Sequence, residues 1–200
     1  MGNFVNQMES NVLSVDIHDA PLQPDQEWAN ALTHALAAVG ALLIGGYMVA
    51  VAAASSSELA FACGVYVASV FGTFLCSSLS HVFIRQPLLN TMRAWDQAMI
   101  YTMISGTYTP IVYAHATDSV RVPLLCAIWV AAIAGFLHKV GFRHRINSIG
   151  TVSYLMLGWL PAIPLAGHVP APLAWSMLGG GVVYSLGVIA LINDRKVRYM

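Results

Sequence analysis

A serine and a histidine lie one helical turn apart in the segment CSSLSHVF, residues 76–83. They are Ser77 and His81, and they lie near the end of a stretch without formal charge that runs from Leu59 to Ile84. Residues four apart share one face of an α-helix. A polar ring in an apolar helix requires a partner or a task, because facing lipid costs an ionisable group a few kcal/mol. His81 is therefore a candidate structural contact, metal ligand or reactive group.

Asp96 and His34 are also ionisable residues close to the start of apolar runs. Asp96 follows the next polar loop, and His34 follows Glu27 by seven residues, which is about two helical turns. Serine, histidine and aspartate side chains can transfer protons, and imidazole and carboxylate groups also bind zinc. What these residues do depends on where the helices place them.

The composition indicates a chain embedded in a membrane. Of its 200 residues, 58% are hydrophobic and 9% are charged, and the mean hydropathy is +0.67. Soluble domains carry roughly 25% charged residues. No linker, low-complexity tract or repeat marks a second domain. We expect membrane lipids as partners, among them a lipid substrate, and no nucleic acid; the oligomeric state is open.

The apolar runs predict six membrane-spanning helices, because about 20 residues at 1.5 Å each cross the hydrocarbon. The first run follows a long polar segment, so it is not a cleavable signal peptide. GHVPAP at 167–172 divides the last charge-free stretch in two, and Pro110, Pro161 and Pro164 are expected to kink the third and fifth spans. The expected spans are Ala31–Ala54, Leu59–Ile84, Ala94–Tyr113, Val122–Leu137, Ile149–Ala166 and Leu173–Ile192.

Lysine and arginine predict the orientation of these spans. Eight of the nine fall in alternate loops on one side, and Arg121 alone falls on the other. Cytoplasmic loops carry the excess of these residues. We therefore expect a multi-pass protein of the cell membrane with its N-terminus in the cytoplasm. Residues 1–26 would form an acidic, mostly disordered tail, and residues 27–200 an all-α polytopic transmembrane bundle.

This orientation brings the polar residues to one depth. The second span ends on the cytoplasmic side with Ser77 and His81. The third begins there with Asp96, and the first with Glu27 and His34. Intramembrane ionisable groups usually face the bundle interior and mark a site. As a depth-matched set from three helices, these residues favour a site in the cytoplasmic leaflet.

Each residue also has a purely structural interpretation. His34 would be an interhelical hydrogen-bonding group, and Ser77 would bond to the Thr73 carbonyl one turn earlier, as hydroxyls in membrane helices commonly do. Asp96 would complement the dipole of its helix. His81 would be solvated at the membrane interface.

Five blocks follow one another between residues 27 and 200: EWANALTHALAAVG, SSLSHVF, WDQAMIYTMISGTYTP, SYLMLGWL and GGGVVYSLGVIAL. In this order they resemble the hemolysin III family, which is related to the adiponectin and progestin receptors. The pattern S-x-x-x-H and the segment ISGTYTP after an aspartate are specific, whereas the apolar blocks are not. The resemblance implies a seven-helix bundle with a cytoplasmic N-terminus, a zinc ion near the cytoplasmic face and kinship with ceramidase-like membrane hydrolases.

The resemblance also implies roles for single residues. His81 matches the family's zinc ligand on the second helix, and Ser77 matches the serine one turn before it. Asp96 matches the aspartate that holds or activates a zinc-bound water. We therefore expect Ser77 and Asp96 to be catalytic and His81 to be a metal ligand, with His34 recruited as a second one.

Two departures from the family pattern weaken the expected zinc site. The family takes two more histidines from an H-x-x-x-H at the start of a seventh helix, and the chain stops at NDRKVRYM without this motif. Gln97 stands where many bacterial members have histidine. Catalytic zinc takes about three protein ligands, so we expect weak zinc binding or none. The chain would then be truncated or a degenerate member, unless His34 or another subunit completes the site.

Three classes of function are compatible with these features. The first is a zinc-dependent membrane hydrolase of a lipid amide or ester, such as a ceramide-like lipid. The second is a non-enzymatic receptor or membrane-homeostasis protein, and the third is a cytolysin or pore. A pore requires a polar stripe along a whole helix, and these spans are polar only at the cytoplasmic end. The pattern therefore argues against a conduit.

The charge pattern gives a prediction about topology. Reporters fused at the N-terminus and after Met200 should both report the cytoplasm, because six crossings return the chain to its starting side. An external signal at Met200 would mean that the six-span count is wrong.

Overall fold

The structure, a computed structural model, describes residues 24–142 and 148–198, and side chains within 24–141 and 152–189. It is 89% helical, and the described residues contain no strand. Expectations for the tail over residues 1–23 lie outside the described residues. The helices are α1 (Pro24–Ala53), α2 (Ser57–Val82), α3 (Leu88–His115), α4 (Asp118–Phe142), α5 (Ser148–Trp159), α6 (Ala162–Leu165) and α7 (Ala171–Arg198).

Consecutive helices pack against one another at the start of the bundle. The main contacts join α1 to α2, α2 to α3, and α3 to α4. Helix α5 packs on both α3 and α4, and α7 packs on α5. Helix α3 is therefore the centre of the described bundle.

The first two helices begin at residues that favour a helix start. Helix α1 starts at Pro24, seven residues before the predicted span, because proline suits the first turn and Asp25 and Glu27 complement the helix dipole there. Before α2, the Ser56 hydroxyl accepts a hydrogen bond from the Leu59 N–H at 3.0 Å. The early start of α1 matters for the site, because it makes Glu27 a helical residue.

Among the described residues, four helices are long and apolar enough to cross a membrane: α1, α2, α4 and α7. Helix α3 has 28 residues but carries Arg93, Asp96 and Gln97 near its start. Because α3 lies between α2 and α4, much of its surface faces protein rather than lipid. The six-span count and the orientation remain predictions.

The predicted fifth span, Ile149–Ala166, is not a single helix. Helix α5 ends at Trp159, and α6, with four residues, follows Pro161. Proline lacks an N–H, and its ring clashes with the carbonyl four residues earlier. Helix α3, in contrast, continues through Pro110. Kinks were predicted at Pro110, Pro161 and Pro164. The helix is interrupted in the fifth span, whereas the third span forms one continuous helix.

The core lies between α3, α4 and α5 and centres on Tyr101, Tyr108, Val112 and Ile128. On the other side of α3, Gly106 lets α2 approach closely, since a Cβ there would come within 2.5 Å of the Ser69 side chain. Small residues serve this purpose in membrane bundles. The same two helices also pack together at the end of the bundle where the polar residues lie.

Candidate functional site

A group of polar side chains meets where α2 ends and where α1 and α3 begin. We call this group the polar cluster, and it comprises Glu27, His34, Ser77, Ser80, His81, Arg93 and Asp96. Its members come from three helices and are linked by hydrogen bonds and ring contacts. The sequence-based expectation that Ser77, His81, Asp96 and His34 share one end of the bundle agrees with this arrangement.

The first contact in the polar cluster joins His34 to Ser77. The His34 Nδ1 lies 2.6 Å from the Ser77 Oγ, and Ser77 is 7% exposed. The alternative in which Ser77 bonds to the Thr73 carbonyl is wrong, because the hydroxyl is turned toward α1. Ser78 likewise bonds across the interface, donating to the Ala31 carbonyl at 2.8 Å.

The second contact joins His81 to Glu27. The His81 Nδ1 lies 2.6 Å from one Glu27 carboxylate oxygen, and Arg93 donates to the other at 3.2 Å. All three side chains are partly buried, with exposures of 20%, 15% and 22%. His81 thus has a side-chain partner in the bundle, while its position relative to the membrane interface stays a prediction. Glu27 and Arg93 were not predicted as site residues, although Glu27 shares a helix face with His34 two turns later.

Asp96 belongs to the polar cluster through a residue that sequence reasoning passed over. The Ser80 hydroxyl, 1% exposed, lies 3.2 Å from an Asp96 carboxylate oxygen and 2.8 Å from the Ser77 carbonyl. Ser80 is thus the hydrogen-bond partner of Asp96, rather than Ser77 or His81. The carboxylate is held beside the backbone of the helix that carries the Ser77 hydroxyl.

The two imidazole rings lie next to each other. The centroids of His34 and His81 are 5.6 Å apart at an interplanar angle of 75°, and those of His34 and Phe74 are 6.0 Å apart at 66°. Each histidine makes its hydrogen bond through Nδ1. Because both Nδ1 atoms have partners, the Nε2 atoms are the ones that remain for a ligand, a substrate or a metal ion.

The described side chains do not complete a metal site. Within residues 24–141 and 152–189, no group of three or more histidine, cysteine, aspartate or glutamate side chains is arranged to hold a metal ion. A catalytic zinc ion takes about three protein ligands. The two histidines of the polar cluster fall short of that number.

A row of hydroxyls extends from the polar cluster along α2. Ser69 donates to the Val65 carbonyl at 2.7 Å, and Thr73 donates to the Ser69 carbonyl at 2.7 Å. The buried polar residues of α2 thus continue further from the cluster than the sequence interpretation allowed. These hydroxyls donate their protons to backbone carbonyls, and their oxygens keep the capacity to accept hydrogen bonds.

A separate cavity of about 540 Å³ lies between α3, α4 and α5. Leu124, Ile128, Ala131 and other apolar side chains form most of its wall. A polar pair interrupts this wall, since the Tyr101 hydroxyl lies 2.6 Å from the Ser153 hydroxyl. The volume is in the range of small-molecule sites, about 300–1,000 Å³.

An all-helical bundle with apolar outer faces and a polar cluster at one end is an integral membrane protein. The chain belongs to the Haemolysin-III related family, whose sequence model matches residues 22–194. The match begins just before α1 and includes every residue of the polar cluster.

Individual relatives support this assignment. The chain is 31% identical to Hemolysin-3 of Bacillus cereus over 178 residues, which is 85% of this chain and 80% of that protein. It is 28% identical over 180 residues to a Hemolysin-3 homolog of Bacillus subtilis (strain 168), covering 84% and 80%. The human monocyte to macrophage differentiation factor is 22% identical over 135 residues, which is 65% of this chain and 57% of that protein. No solved structure gives a significant match.

The contact between His81 and Glu27 gives a prediction about stability. In a cycle of Glu27→Ala, His81→Ala and the double variant, thermal unfolding in detergent should reveal a coupling of about 0.5–3 kcal/mol, because residues in one ion-pair network do not contribute additively. Thr107→Ala replaces His81→Ala in the control cycle, since the Thr107 hydroxyl bonds within its own helix. Additive effects in both cycles would mean that Glu27 and His81 are not in contact.

Proposed function

We propose that this membrane protein hydrolyses a lipid amide or ester at the polar cluster, from the cytoplasmic leaflet. The observation that carries the proposal is the pair of adjacent histidines, each held through Nδ1 by a side chain of another helix. Ionisable groups are costly inside a bilayer and are retained mainly where they have a function. Histidine is also the side chain that most often transfers protons in catalysis.

The polar cluster has the groups that hydrolysis requires. A histidine fixed by a carboxylate is oriented for proton transfer, and Glu27 holds His81 in this way. Ser77 and Asp96 are the catalytic candidates beside it. Arg93 forms an ion pair with Glu27, and its positive charge would also attract an anionic headgroup or product.

A lipid substrate is supported by the apolar outer face of α1 and by the separate apolar cavity. Large apolar side chains cover the outside of α1, including Leu36, Leu43 and Tyr47. The apolar cavity between α3, α4 and α5 has room for part of a hydrocarbon chain. A substrate with an apolar tail would reach the polar cluster without leaving the bilayer.

Zinc binding by His81 and His34 is the alternative to a reaction carried out by the side chains alone. A metal-binding histidine commonly donates its other N–H to a carboxylate, and His81 has this relation to Glu27. The described residues nevertheless provide too few ligands for a complete site. We therefore derive no step of the reaction through a metal ion.

Membrane lysis is a function that the name of the Bacillus cereus relative mentions. The Ser69 and Thr73 hydroxyls donate to backbone carbonyls, so bonds within α2 account for the described hydroxyl row. A receptor without turnover would use the same bundle. We keep hydrolysis as the proposed function because the polar cluster combines histidines, a serine hydroxyl and carboxylates.

The activity prediction uses the purified full chain in lipid vesicles. Fatty acid should be released from a ceramide-type amide or from a diacyl ester, and His81→Ala and Asp96→Asn should each lower the rate by about 10²-fold or more, the usual effect of losing a positioned acid or base. Thr107→Ala is the matched control and should keep the rate of the unaltered chain. Absence of release from both lipid classes would leave a receptor or a cytolysin as the function.

The metal prediction uses elemental analysis of the same protein. We expect clearly less than one zinc per chain after dialysis at neutral pH, and a further decrease in His81→Ala, because the described residues supply two imidazoles where about three ligands are needed. One tightly bound zinc per chain would contradict this expectation. His34→Ala would then test whether His34 is the second ligand.

A further inference from the structure

We propose that Ser77 is the nucleophile of this hydrolase and His34 its general base, so that the reaction passes through an acyl-serine intermediate and requires no metal ion. This inference rests on the proposed function and assigns its chemistry. It differs from the role that the family resemblance implies for these positions, where the serine accompanies a zinc ligand.

The position of the Ser77 hydroxyl is the first support. Hydroxyls in the long helices of this protein usually donate to the carbonyl four residues earlier, as Ser69, Thr73 and Thr109 do. Ser77 continues the same row on α2, at the spacing of four, and makes no such bond. Its Oγ lies 2.6 Å from the His34 Nδ1, within the range that a nucleophile and its base require.

The tautomer of His34 separates the two candidate roles of this residue. If the Ser77 hydroxyl donates to Nδ1, then Nε2 carries the ring proton, and neutral His34 cannot bind a metal ion through Nε2. If Nδ1 carries the proton, Nε2 is free to bind a metal ion but His34 cannot accept the serine proton. The Ser77 hydroxyl proton has no other acceptor among the described side chains and carbonyls, so we assign it to the bond to Nδ1, which is the first arrangement.

The surroundings of His34 suit a base that becomes positively charged during the reaction. Its ring packs against the ring of His81, and the His81 Nδ1 contacts the carboxylate of Glu27. Within the polar cluster, the charges of Glu27 and Asp96 are balanced by Arg93 alone. The polar cluster therefore has one more carboxylate than guanidinium groups, which favours a positive charge on His34.

The reaction is balanced with water as the only co-substrate. The Ser77 Oγ attacks the carbonyl carbon of the lipid while its proton moves to the His34 Nδ1. The C–N or C–O bond then breaks, and the leaving amine or alcohol takes the proton from His34. Water, deprotonated by His34, attacks the acyl ester, and Ser77 recovers its proton as the fatty acid leaves.

The test is covalent labelling of the full chain in vesicles with an alkyl fluorophosphonate. The Ser77 Oγ should displace fluoride and form a phosphonyl adduct, which peptide mass spectrometry would locate at residue 77. His34→Gln should slow labelling by about 10²-fold or more. Excess chelator should leave the labelling rate unchanged. Ser69→Ala, which removes a buried hydroxyl two turns away on the same helix, is the matched control and should label at the rate of the unaltered chain.

Labelling and hydrolysis together separate the two proposals. Lipid hydrolysis that persists in Ser77→Ala, with no adduct on the unaltered chain, would overturn the serine mechanism and leave the proposed hydrolase intact. Absence of hydrolysis with both lipid classes would overturn the proposed function and this mechanism with it. The adduct on unaltered Ser77 is read without any variant, so a folding defect in Ser77→Ala does not affect that result.

Discussion

The carboxylate of Glu27 is the contact on which the arrangement of the polar cluster depends. One of its oxygens binds His81 at the end of α2, and the other binds Arg93 at the start of α3. A single side chain of α1 thus connects the other two helices at this end of the bundle. In an apolar medium an unpaired charge is costly, so three helices that each bring one polar group are most stable when these groups meet.

Uncharged hydroxyl groups near the polar cluster also bond between helices. Ser78 bonds to a carbonyl of α1, and Thr73 lies 3.2 Å from the Met99 carbonyl of α3. The contact of Thr73 is favoured by the close approach of α2 and α3 at Gly106. Close packing of small residues and hydrogen bonding between helices are therefore parts of one interface, as is common in membrane bundles.

Sequence reasoning recovered the helical, membrane-embedded character of the chain, since apolar runs of the length of α1 and α2 have few other interpretations. It also brought Ser77, His81 and Asp96 to one end, because charge patterns fix which helix ends lie together. It did not assign partners. The bonds of His81 to Glu27 and of Asp96 to Ser80 depend on helix rotation and on register to within one residue, which periodicity does not determine.

The interruption of the fifth span was outside the reach of sequence for a similar reason. A proline inside an apolar run is compatible with a continuous helix, as at Pro110, and with a break, as at Pro161. The outcome depends on whether the carbonyls at the break find donors elsewhere. Here the Gly158 carbonyl accepts the Tyr108 hydroxyl of α3, a contact between distant parts of the chain.

That break has a mechanical consequence for the last helix. Helix α7 is attached to the bundle mainly through α5, where Trp159 donates to the Ser185 hydroxyl at 3.1 Å and lies against Gly181. Trp159 is also the last residue of α5, directly beside the break and next to the carbonyl that Tyr108 holds. A tilt of α7 in the bilayer would therefore bend the chain at this break rather than move one continuous helix. The hydrogen bond from the Tyr108 hydroxyl to the Gly158 carbonyl would connect this bending to α3, the helix that carries Arg93 and Asp96.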